Sequence, residues 1–184
     1  MPGRAGGPGG AVIRRLELWI AAAVVVLDQA TKHLVVAEME LYQTIPVIPG
    51  LLNLTHIRNT GVAFGMFNTA EFAYKPVVVS LLALAALVGV GLYASQLPRG
   101  NRVARAGLAL ILGGAAGNLV DRARQGYVVD FVDAYWQGWH FWAFNVADAA
   151  ISAGVGLLII DLFRPEAQAA PASAPPAVEE PRVS

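Results

Sequence analysis

Cysteine is absent from this chain of 184 residues, which excludes disulfides, thiolate metal ligands and a cysteine nucleophile. Charge is scarce as well. Asp, Glu, Lys and Arg make up 14% of the residues and hydrophobic types 56%, where a soluble domain carries about a quarter charged. The composition therefore reads as a membrane protein. Basic and acidic residues number 13 each, and the zero net charge gives no reason to expect nucleic acid as a partner. The three histidines, His33, His56 and His140, lack ligand spacing such as His-x-x-x-His, so no metal site is expected. Gly113-x-x-x-Gly117 is followed by no Lys-Ser/Thr and lies in an apolar run, which excludes a phosphate loop and leaves helix packing.

What the chain does have is four long apolar runs. They cover about residues 16–36, 77–97, 103–120 and 144–163, and at 1.5 Å per residue the first spans roughly 31 Å, one hydrocarbon thickness. Span two has no charge. Span three carries only Arg105, in its first turn, where a long side chain can snorkel to the interface. The first run continues past Asp28 with no small-x-small site after it, so it reads as a retained span and not as a cleaved signal peptide.

Before the spans, residues 1–15 are Gly- and Pro-rich and predict a mobile basic arm. Residues 165–184 are rich in Pro, Ala and Glu and predict a disordered tail. Between them, residues 16–164 form one unit. Arg4, Arg14 and Arg15 precede span one, Arg99, Arg102 and Arg105 surround the second connection, and Arg164 follows span four. That bias places both termini in the cytoplasm. Trp136, Trp139 and Trp142 then form an interfacial aromatic belt on the outer side. In the outer connection, residues 37–76, the runs 42–45 and 51–57 predict short strands, and Asn59-Thr60-Gly61 a turn. The expected fold is an all-α membrane protein: four transmembrane helices with a small extracytoplasmic β-sheet after the first.

Up-and-down order brings the end of span one and the start of two to the same side as the end of three and the start of four. Asp28, Asn118, Asp121, Asp130, Asn145 and Asp148 then meet at one depth. An acid within hydrocarbon is a functional candidate by default. Asn118 and Asp121 share a helix face, as do Asn145, Asp148 and Ser152. Asp28 and Lys32, four apart, can form an ion pair, and Asp121 beside Arg122 reads as a cap of span three. Asp133 and Asp161 read as interfacial and solvated. Asp130 and Asp148 flank one connection with no basic neighbour at helical spacing. Two carboxylates meeting in a low-dielectric site share a proton. Such a pair supplies a base and an acid for hydrolysing an amide. A proton-coupled carrier is the rival reading, but it requires polar residues through both leaflets, and the inner halves are apolar apart from Asp161.

Five ordered blocks carry a resemblance: LDQATK (27–32), NTGVAFG (59–65), GGAAGNLVDR (113–122), VVDF (128–131) and AFNVADAAI (143–151). Together they resemble the lipoprotein signal peptidases, the type II signal peptidases of bacteria. The resemblance implies an inner-membrane aspartyl endopeptidase that cuts diacylglyceryl-modified prolipoproteins before the lipidated cysteine, with no metal or cofactor. It implies Asp130 and Asp148 as the catalytic pair. Asn59, Gly61, Asn118, Arg122 and Asn145 fall at positions that bind substrate or shape the site, and Asp28, Lys32 and Asp121 at polar support. It also implies membrane lipid as surroundings and globomycin-type cyclic peptides as inhibitors; a monomer is expected. The chain departs from many members at Gly65, Trp142 and Ala149, none of which is an acid of the pair.

Overall fold

The computed structural model describes residues 15–61, 74–97 and 101–163. Residues 1–14 of the arm, the tail and the part of the NTGVAFG block after Gly61 lie outside them, whereas Arg15 opens the first helix. The elements in chain order are α1 (Arg15–Glu38), β1 (Thr44–Ile48), β2 (Leu52–Asn59), α2 (Lys75–Gln96), α3 (Arg102–Gln125), β3 (Val128–Trp136), β4 (Trp139–His140) and α4 (Val146–Leu162). The chain is mostly helical with a small antiparallel sheet. Among the described residues, three helices are long and apolar enough to cross a membrane by length and composition: Arg15–Glu38, Val77–Gln96 and Arg102–Gln125. Leu18, Trp19, Val26 and Leu34 on α1 and Leu81, Leu82, Val88 and Leu92 on α2 are exposed. A multi-pass membrane protein gives such faces hydrocarbon to meet.

Helix α3 is the hub, with α1, α2 and α4 all packed on it. Small residues make this close approach possible. A Cβ added at Gly107 would lie 2.7 Å from the Gly154 carbonyl of α4, and one at Gly113 would lie 2.8 Å from the Ala21 carbonyl of α1. The Gly113-x-x-x-Gly117 motif is therefore a packing seam, as its spacing predicts. On the α2 side, Ala94 and Leu97 pack against Ala104 and Leu108.

The boundaries of α3 follow from its caps. Asn101 accepts the Ala104 N–H at 3.1 Å, and Gly126 closes the helix at φ +79° with its N–H on the Arg122 carbonyl. The helix thus runs five residues beyond the expected end at Val120. Asp121 lies inside it and is not a cap; its carboxylate turns inward to Lys32 and Gln29. Arg105 does not snorkel either. It is buried, with Nε and Nη2 on the Glu17 carboxylate of α1 at 2.5 and 2.7 Å.

The sheet has the order β1-β2-β3-β4. Its first two strands lie in the connection after α1 as expected, β2 close to the expected 51–57 and β1 shifted from 42–45 to Thr44–Ile48, through Pro46. β3 and β4 come from the connection between α3 and α4, where the expected fold has no strand. Val128-Val129-Asp130-Phe131-Val132 is β-branched and aromatic enough to form a strand, and it pairs antiparallel with β2, with Ile57 opposite Asp130. Val35 of α1 and Met39 just after it pack on Val129 and Phe131, fixing β3 against the end of α1. Two acids expected to be solvated are bonded instead. Asp133 accepts from Asn53 at 2.8 Å and meets His140 Nδ1 at 2.9 Å, and Asp161 accepts from Asn101 at 2.6 Å.

Candidate active site

The site is assembled from α1, α3, β3 and the first turn of α4. At its base, Lys32 lies 2.8 Å from both Asp28 and Asp121, and all three side chains are buried. The Asp28–Lys32 pair expected from the four-residue spacing is present, with Asp121 as its third member. Buried charges persist only when paired and hydrogen-bonded. Here the remaining acceptors are met: Asp28 takes the Ala147 N–H at 3.0 Å, and Asp121 takes Gln29 Nε2 at 2.8 Å and the Val129 N–H at 3.3 Å.

Gln29 was not singled out in the sequence. Its amide N–H groups reach Asp28, Asp121 and the Gly117 carbonyl at 3.2, 2.8 and 3.2 Å, so it knits α1 to α3 beside the ion cluster. The available signal was a neutral polar residue within an apolar run, next to an acid and three positions before a lysine.

Above this base stand the two acids that the sequence analysis set apart. Asn145 joins them. It caps α4, with its Oδ1 on the Asp148 N–H at 3.0 Å and its own N–H on Asp148 Oδ2 at 3.2 Å, a reciprocal capping box. The same side chain donates from Nδ2 to Asp130 Oδ1 at 2.8 Å. Asn59 donates to Asp130 Oδ2 at 2.9 Å, and Asn118 donates to Asp148 Oδ1 at 2.8 Å. All four carboxylate oxygens of the pair therefore hold a donor.

Asp130 is 2% exposed, and its carboxyl is pushed up to about 7. Burial is the main cause, the charge of Asp148 adds to it, and the bonds from Asn59 and Asn145 oppose it. An acid with this value exchanges its proton near neutrality, as a general acid or base must.

Gly61 and Arg122 complete the rim. Arg122 Nη2 donates to the Gly61 carbonyl at 2.7 Å, and the Gly61 N–H donates to Asn59 Oδ1 at 2.9 Å, so the turn after β2 is held on both sides. Every residue picked out from the sequence for the site is thus part of one network, except Ser152. That residue is exposed. It stands one turn after Asp148 on α4, too far along the helix to take part in the capping box. Among the described residues, no group of three or more His, Asp or Glu side chains is arranged to hold a metal ion.

Residues 20–164 match the family model described as signal peptidase (SPase) II. The chain is 48% identical over 146 residues to a lipoprotein signal peptidase of Geobacter sulfurreducens, covering 79% of this chain and 90% of that one. It is 40% identical over 149 residues to a lipoprotein signal peptidase of Haemophilus influenzae, covering 81% and 86%. Among solved structures, a bacterial membrane enzyme determined by the in meso method at 1.9 Å resolution superposes with a TM-score of 0.72. The identity is 30%, over 84% of this chain and 97% of that one.

Proposed function

The chain belongs to the signal peptidase (SPase) II family, and from that membership we propose that it cleaves prolipoproteins with Asp130 and Asp148 as its catalytic pair. The protein is a membrane peptidase that removes signal peptides from prolipoproteins. One carboxylate of the pair takes a proton from water as the water oxygen attacks the scissile carbonyl, and the other, protonated, gives its proton to the departing amine. The chain's own residues supply both proton positions, so no cofactor enters the reaction. Asn59, Gly61, Asn118, Arg122 and Asn145 shape the site or bind substrate, and Asp28, Lys32 and Asp121 hold it from below.

The substrate class follows from the site's surroundings. A lipidated cysteine must bring its peptide bond to polar groups while its acyl chains remain in hydrocarbon. The acid pair stands at the end of apolar helices and beside the sheet, which suits a diacylglyceryl-modified prolipoprotein and a globomycin-type peptide that mimics it. Helix α4, with 17 residues, is the fourth span. The basic residues at the far helix ends favour both termini in the cytoplasm, and the sheet, with its exposed Trp136, Trp139 and Trp142, lies at the outer face of the inner membrane. The active unit is a monomer. Residues 1–15 serve as a basic arm and 165–184 as a tail.

The observation that carries this reading is the single residue Asn145 bonded to both acids. Asp130→Asn and Asp148→Asn each keep the shape and remove a titrating group. Both variants insert and fold normally but lose cleavage of a diacylglyceryl-modified prolipoprotein, and globomycin blocks the wild-type reaction. Cleavage retained by both single variants would refute the assignment.

A further inference from the structure

The three asparagines around the acid pair share a feature. Each has its amide oxygen occupied by a group that can only donate. Asn59 Oδ1 accepts the Gly61 N–H at 2.9 Å, Asn145 Oδ1 accepts the Asp148 N–H at 3.0 Å, and Asn118 Oδ1 accepts the Lys32 ammonium at 2.8 Å and, less closely, Asn145 Nδ2 at 3.2 Å. An N–H or an ammonium offers no lone pair, so the amide oxygen must face it and the NH2 must point away. In each case the NH2 then meets an aspartate: Asp130 for Asn59 and Asn145, Asp148 for Asn118.

Two of these locks are local, an Asx-type turn across two residues and a helix cap across three. The third reaches across 86 positions and uses a buried charge. A buried ion cluster is often no more stable than apolar side chains of the same volume, so stability alone does not account for an ammonium at this place. Its geometric product does. We propose that Lys32 is a positioning residue of the reaction, because its ammonium fixes the Asn118 amide so that only N–H faces Asp148. This rests on the reading of Asp130 and Asp148 as the reacting pair. With Asn118 turned over, Oδ1 and a carboxylate oxygen of Asp148 would stand face to face. Two acceptors stay in contact only with a proton between them, and that is a proton the pair needs to move.

Two variants separate this from simple support. Asn118→Asp keeps the shape and gives Lys32 an even better partner, but it offers Asp148 no N–H. Lys32→Met combined with Asp121→Asn removes one charge of each sign, so the site's net charge is unchanged while Asn118 Oδ1 loses its closer, charged donor and keeps only Asn145 Nδ2 at 3.2 Å. Asp130→Asn serves as the control, and the readouts are kcat, KM, thermal midpoint and pH-rate profile on a diacylglyceryl-modified prolipoprotein in detergent. Asn118→Asp lowers kcat by about 100-fold, the lower range for a misplaced acid–base group, with little change in KM or midpoint. Its ascending pH limb moves upward. The double variant loses about tenfold in kcat, the worth of one oriented hydrogen bond, also with a displaced limb. Folded variants with kcat within about threefold of wild type overturn the proposal. So does a loss that tracks unfolded protein while the pH profile stays put. Cleavage by Asp130→Asn would instead overturn the reading of the acid pair.

Discussion

Asp28 Oδ1 accepts the Ala147 N–H at 3.0 Å, across 119 positions of sequence. The acid is fully buried on α1, and the N–H belongs to the first turn of α4, where helix donors have no partner of their own. Asp28 thus acts as a second cap for the helix that carries Asp148, and through Lys32 it also anchors α3. Its role is to hold three helices in register. Asp28→Asn preserves the shape but leaves Lys32 with Asp121 as its one remaining carboxylate. Removing one partner from a buried pair costs about 3 kcal/mol or more. The expected result is a lower thermal midpoint and yield in detergent, with turnover per folded molecule reduced by less than about tenfold. An Asp28→Asn protein as stable as wild type but unable to cleave would move Asp28 into the reaction itself.

The raised proton affinity of Asp130 ties stability to pH in a definite direction. The carboxyl is shifted from 3.8 to about 7, chiefly by burial and then by the charge of Asp148. Below 3.8 the folded and unfolded chains are both protonated there, and the contribution to stability is complete. Between 3.8 and about 7 the unfolded chain ionises while the folded one keeps its proton, so stability declines as pH rises. Above that range the folded site carries its buried charge, and the contribution is gone. The thermal midpoint of wild type should therefore fall as pH rises from 3.8 to about 7, and Asp130→Asn should flatten that slope. Parallel slopes for the two proteins would count against the assignment. The same ionisation predicts a pH-rate profile for cleavage that rises through neutrality, where a level profile would contradict paired acid and base.

Much of the site is legible in the sequence because chain connectivity alone collects it. Up-and-down helices bring Asp28, Asn118, Asp121 and Asp148 to one end, and Asp130 has nowhere else to lie. Spacing of four correctly gives the Asp28–Lys32 pair. Three things are hidden, each for a physical reason. β3 lies in a connection, and its apolar run is interrupted by two acids, Asp130 and Asp133. Gln29 carries no charge, so its cost in an apolar run is small and it does not stand out. The partners of Asp121 and Arg105 are 89 and 88 positions away, beyond any local pattern: one looks like a helix cap and the other like a snorkelling side chain until α1 is packed against α3.

That second pair provides a control at the opposite end of the bundle. Glu17 grips Arg105 through Nε at 2.5 Å and Nη2 at 2.7 Å, and Nη1 donates to the Leu97 carbonyl at 3.1 Å. The guanidinium is thereby satisfied by α1 and by the end of α2. Along α3, Arg105 stands sixteen residues from Asp121, roughly 24 Å. Glu17→Gln leaves a buried cation without a countercharge, a loss of about 3–5 kcal/mol when one partner of such a pair is removed. Replacing both, as Glu17→Leu with Arg105→Met, removes the burial cost together with the attraction, and stability should return close to wild type. A thermal-midpoint cycle over the four proteins measures the coupling directly. Because the pair only ties α1 and α2 to α3, folded Glu17→Gln should cleave at the wild-type rate. Unchanged stability would mean that water reaches the pair, and a selective loss of kcat would mean that α3 transmits strain from its first turn to Asn118.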